Sequence, residues 1–167
     1  MTLAATIALF GAQYWLPTAL WQLPARLDIV ELQKSWNGEQ ATRVLEEWGS
    51  QGIQAAKFSL LLDLPLIASY SLALVGWIAW TRNRHEPTSP RGSKFESLAF
   101  WGTIVGASAD LGENALHSLL LTAYRDTAQV ADSLALAASA CAALKFGTLT
   151  GAMIYVVSSL VFQKQQS

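Results

Sequence analysis

The chain has 167 residues, 52% of them hydrophobic and only 14% charged, with a mean hydropathy of +0.30; an average soluble domain is roughly 25% charged. That shortage of charge is the composition of a membrane protein, and a formal net charge of −1 with no run of Lys and Arg among aromatics gives no basis for a nucleic-acid partner. The lone Cys141 cannot close an internal disulfide and reads as a small packing residue; with His85 and His117 the only histidines, a multi-histidine metal centre within one chain is excluded, and no metal or cofactor is expected.

The first apolar run, residues 2–23, is long enough for the roughly 20 residues a bilayer core requires. It has no basic n-region and is too long for a cleaved signal, so it reads as a retained span. Gln13 within it is expected to face another helix, and Tyr14, Trp15 and Trp21 cluster toward its end as interfacial aromatics do. Residues 24–55 form the most polar stretch. There Ala41, Val44, Leu45 and Trp48 recur at helical spacing between Gly38 and Gly49, and Ile29, Leu32 and Trp36 mark an earlier helix over 26–36. Two short amphipathic helices lying on the membrane surface or capping the bundle are expected.

The second span covers 56–80. Asp63 lies inside it, followed by Pro65, which frees the Leu61 carbonyl; Ser59, Tyr70 and Trp77 share the Asp63 face. Asp63 reads either as a site carboxylate or as a helix-end carboxylate near the headgroups. Residues 81–94 read as an exposed loop in which Pro87, Ser89, Pro90 and Gly92 break any helix, and Arg82, Arg84, Arg91 and Lys94 favour the cytoplasmic side. Both termini are then expected in the cytoplasm of a bacterial cell, the chain being multi-pass in the inner membrane.

The third span, 96–122, carries the chain's most unusual feature. Asp110, Glu113, Asn114 and His117, with Thr103 and Gly106, fall within an arc of roughly 100° on a helix. Lipid offers such a stripe no hydrogen-bond partner, so it must face protein, water or a ligand. The fourth span, 132–162, is longer than a bilayer needs and places Lys145 near its middle, on a face with Ala138, Cys141, Ala142, Thr148, Ala152 and Ser159. Gly147 and Gly151 give it a G-x-x-x-G spacing that suits a homo-oligomeric contact. The sum is an all-α integral membrane four-helix bundle, one domain over 1–167, with a short amphipathic helical loop between spans 1 and 2 and no β-barrel alternation.

The interior of such a bundle holds Asp63, Asp110, Glu113, Lys145 and His117, with Asn114 and Tyr70. Asp110 and Lys145, both near mid-depth, are the expected ion pair, since each alone is costly in a membrane. Pairing Lys145 with one acid leaves further carboxyls that repel unless one is protonated or faces a cation.

Trp48-Gly49 at the end of the loop helix, Asp63 with Pro65 and Tyr70, Asp110-Leu111-Gly112-Glu113-Asn114 on the third span and Lys145 on the fourth together resemble an uncharacterised family of small bacterial four-span membrane proteins. The resemblance covers most of the chain. It implies the four-span count and this set of polar residues, and it brings no activity. The family often has Gly-Arg after the loop helix, whereas Gly52 is followed here by Ile53, so no role of that arginine passes to this chain.

Three functions fit these residues. In one, Asp63, Tyr70, Asp110, Glu113, Asn114, His117 and Lys145 form a site that binds or transports a hydrophobic or cationic small molecule with proton coupling, in a homo-oligomer. In another, an intramembrane acid–base enzyme of isomerase or cyclase type acts on a lipid or isoprenoid, with Glu113 and His117 transferring protons. In the last, a structural subunit among membrane lipids uses the polar network only to fix helix packing.

Overall fold

A computed structural model describes residues 4, 6–12, 16, 29–82 and 90–164. Gln13, Tyr14, Trp15, Trp21 and His85, with most of the first span and of the basic loop, lie outside the described residues. Residues 6–12 are helical, and four further helices follow: α1 (Ile29–Gln33), α2 (Gly38–Arg82), α3 (Pro90–Thr127) and α4 (Asp132–Lys164). No strand occurs among the described residues.

Local chemistry explains the boundaries. Asn37 caps α2, its Oδ1 accepting the backbone N–H of Gln40 at 2.9 Å, while Gln40 Oε1 accepts the N–H of Trp36 at 3.1 Å. Gly49 then breaks α2 with φ 60° and ψ −170°, a conformation open essentially only to glycine. The short amphipathic helix expected between Gly38 and Gly49 is therefore the first limb of α2; it buries Ala41 and Leu45. Pro65 lies inside the second limb without breaking it, since Gly49 is the single residue of α2 with non-helical backbone angles.

Two expectations are corrected. The helix read over 26–36 is described only as Ile29–Gln33, and Trp36, placed on its apolar face, lies beyond it and is exposed. The loop read over 81–94 is helical at both of its described ends, since α2 runs to Arg82 and α3 begins at Pro90. Pro90 is the first described residue of α3, and proline is tolerated in the first turn of a helix, where there is no intrahelical N–H bond to lose.

Helices α2, α3 and α4 alternate in direction, with α3 packed most extensively on α4 and then on α2. Gly106 permits the α3–α4 approach; a Cβ there would stand 2.8 Å from the Leu149 and Thr148 side chains. The turn between α3 and α4, in which Ala128 takes φ 56°, is tied to the start of α2. Gly38 N–H donates to Asp132 Oδ1 at 2.8 Å, and Val130 N–H donates to Thr42 Oγ1 at 3.1 Å. The N-terminal helical residues meet α2 where the hydroxyls of Thr6 and Ser69 bond at 2.7 Å.

The bundle is layered along its length. At one end Leu32, Leu45, Leu120, Leu121 and Ala135 form an apolar cluster under α1 and the first limb of α2; at the other end Ile78, Ala99 and Val156 form a smaller one. Between them lies a polar layer of Ser59, Asp110, Glu113, Asn114, His117 and Lys145. The outer surface is the reverse: Leu61, Leu72, Leu98, Trp101, Leu119 and Ile154 are all more than half exposed. The stretches Gly38–Thr81 and Asp132–Ser159 are long and apolar enough to cross a membrane.

Candidate functional site

The polar stripe of α3 faces inward over its whole length. Thr103, Gly106, Asp110, Glu113, Asn114 and His117 are all buried, whereas Ser108 and Ser118, off the arc, are exposed. Helical periodicity turns this spacing into one face, and burial of that face draws Lys145 from α4 toward it. Ala138, Ala142 and Ala152 around Lys145 are buried and small, which leaves its long side chain room to cross the helix interface.

Lys145 holds two carboxylates. Its Nζ donates to Asp110 Oδ1 at 3.0 Å and stands 2.7 Å from Glu113 Oε2. The second contact is close in distance but poorly aligned as a hydrogen bond, so attraction of opposite charges accounts for it. The ammonium also lies 4.9 Å from the centroid of the Phe146 ring, a weaker cation–π contact.

Each carboxylate has a second partner from a different helix. Asp110 Oδ2 accepts the Tyr70 hydroxyl of α2 at 2.8 Å, and Glu113 Oε1 accepts the side-chain amide of Gln33 from α1. His117, one turn beyond Glu113, turns Nδ1 toward Glu113 Oε1 at 3.6 Å. One connected network thus ties α1, α2, α3 and α4, and the expected pair of Asp110 and Lys145 is its centre. Asp63 is half-buried two turns before Tyr70 on α2. Asn114 is buried with no hydrogen-bond partner for Nδ2 among the described residues, and Nε2 of His117 is in the same state.

Gln33 is the site residue that sequence reasoning did not single out. Its signal was weak but present: Ile29, Leu32 and Gln33 fall at i, i+3 and i+4, so Gln33 shares the inward face of α1. Phe146 carried no signal, being one of many apolar residues on its span. Among the described residues no group of metal-binding side chains converges.

The chain matches no protein-family model, no curated protein and no solved structure. Chemical capacity must then be read from the network itself. It contains a lysine, two carboxyl groups, a histidine, and the Asn114 Nδ2 and His117 Nε2 atoms that lack a hydrogen-bond partner among the described residues, all between apolar layers. Such a set can hold or pass a proton, or accept a hydrogen-bonding ligand.

Proposed function

We propose that this protein is a multi-pass membrane protein whose buried network binds a proton and, coupled to it, a cationic or amphiphilic small molecule. The observation that carries the reading is charge number. With Asp110, Glu113 and Lys145 all ionised, the buried layer between the apolar clusters carries a formal charge of −1 before any contribution from His117. A bound proton or cation removes that excess. An apolar exterior around a polar interior supports the membrane setting, since lipid accepts the former and excludes the latter. Gly147 and Gly151 have open space beyond their Cα atoms, which supports a contact with a second copy.

The test is infrared carboxyl difference spectroscopy of the protein in nanodiscs over roughly pH 5 to 9, with Glu113→Gln and Asp110→Asn as controls. A protonated-carboxyl band that persists to neutral pH and disappears in one variant is expected. If no such band exists and both variants lose only thermal stability, the proton-binding reading fails. The reading that then stands is a network that fixes helix register, which the direct bridging of both carboxylates by Lys145 favours.

A further inference from the structure

A proton or cation taken up by the buried layer has to come from water, and the described walls around Glu113 are of unequal strength. Glu113 itself is 1% exposed. Helices α2, α3 and α4 are 45, 38 and 33 residues long and pack against one another. Parting any two of them opens a path to the apolar outer surface, which in a membrane is lipid and passes no ion. Toward the start of α3, buried Thr103 and the cluster of Ile78, Ala99 and Val156 close the bundle. The remaining described wall is α1, a helix of five residues packed on α2 and α4.

A helix that short has no stability of its own and is ordered by what it touches. Leu32 enters the apolar cluster, Gln33 donates to Glu113 Oε1, and the carbonyl of Ser35, just past the helix, accepts Ser139 Oγ of α4 at 3.0 Å. The chain beyond is pinned, since Asn37 caps α2 and Gly38 N–H donates to Asp132. Between α1 and that anchor, Lys34, Ser35 and Trp36 form a non-helical link. A short docked segment on a non-helical link beside a fixed anchor has the form of a hinged flap. We propose that α1 is a lid over the carboxylate layer, latched by Gln33 on Glu113: it swings away about residues 34–36 while α2, α3 and α4 stay packed, and so admits water and cations to Glu113 and Lys145. A charged acceptor makes the latch bond stronger than one between neutral groups. The purpose of the lid rests on the cation-binding reading above; its motion does not.

The experiment is thiol labelling of the full chain in nanodiscs with a trimethylammonium-bearing methanethiosulfonate, in the Cys141→Ser background. The reporters are Ser139→Cys, against the Ser35 end of the lid, and Thr103→Cys, toward the opposite end of the bundle; both positions are 0% exposed. Where reclosing outpaces reaction, the labelling rate follows the open fraction. Ser139→Cys is expected to react slowly and Thr103→Cys not at all. Gln33→Ala should raise the Ser139→Cys rate alone, by roughly 10- to 100-fold, the population equivalent of one hydrogen bond to a charged group. Equal labelling of the two reporters, an equal rise in both, or a Ser139→Cys rate that Gln33→Ala leaves unchanged overturns the proposal. Ala135→Cys, buried in the cluster that Leu32 enters, repeats the measurement with the Ser139 contact to Ser35 intact. Loss of the infrared carboxyl band with lid labelling preserved removes the proton reading alone, and a band without lid labelling removes the lid alone, so the two fail separately.

Discussion

At the residue scale the molecule turns on Lys145, the one cation shared by Asp110 and Glu113. Its depth in an apolar span made it visible in sequence, as did the two acids, because a charge among leucines and alanines has few explanations. Its double engagement was less visible, since the α3 face offers acids at two depths and side-chain reach decides between them. Lys145→Met leaves two buried carboxylates without their counter-ion, and breaking a buried pair typically costs about 3–5 kcal/mol. A lower thermal midpoint in nanodiscs is therefore expected, with much of the loss recovered when Asp110→Asn and Glu113→Gln are added. A single variant as stable as the parent chain would mean that Lys145 is solvated rather than paired. Tyr70→Phe removes one hydrogen bond to Asp110 and is expected to cost less, about 1.5 kcal/mol, by the same unfolding measurement. Gln33 marks the limit of this kind of reading. In a polar stretch a glutamine has little contrast, and the helical spacing that puts Gln33 beside Leu32 does not say that its helix lies over Glu113.

At the element scale two glycines shape the cap, for different reasons. Gly49 has open space where a Cβ would lie, so Gly49→Ala tests backbone strain alone; it is expected to cost about 1–3 kcal/mol. Gly38 has helical backbone but no room, since a Cβ there would fall on the carbonyl oxygen of Val130. Gly38→Ala must therefore separate α2 from the α3–α4 turn, breaking the bonds to Asp132 and Thr42. Gly147→Ala is the reference: the site is helical and open, and alanine raises helix propensity by about 1 kcal/mol. Chemical unfolding of the three variants should rank Gly147→Ala most stable and both cap variants below the parent chain. If Gly147→Ala is instead destabilising, that face is covered by a second copy. Both cap glycines were legible as breaks in the apolar pattern. Pro90 and Gly92 were read the same way and are helical, because helix-weakening residues mark where a helix is costly and not where it must end.

At the scale of the whole molecule, large apolar side chains lie on the described surface while a polar layer is buried, and the membrane setting proposed for this pattern can be tested by chemical access. The Cys141→Ser chain is free of thiols, so single cysteines report their surroundings without interference. Glu46→Cys in the first limb of α2 and Ala128→Cys in the α3–α4 turn sit at the same end of the bundle, because Gly38 and Thr42 bond to that turn. Arg84→Cys lies in sequence just past the other end of α2. In a membrane, a charged, impermeant maleimide should label the first two from one side and Arg84→Cys only from the opposite side. Leu72→Cys separates the membrane reading from a soluble bundle. Leu72 is 65% exposed, so in water it should react as fast as Glu46→Cys, whereas lipid around it excludes a charged reagent. Protection of Leu72→Cys with ready labelling of Glu46→Cys is the expected result. Equal labelling of the two in intact cells or vesicles would place the apolar surface in water, and the polar layer would then need an explanation other than shelter from lipid.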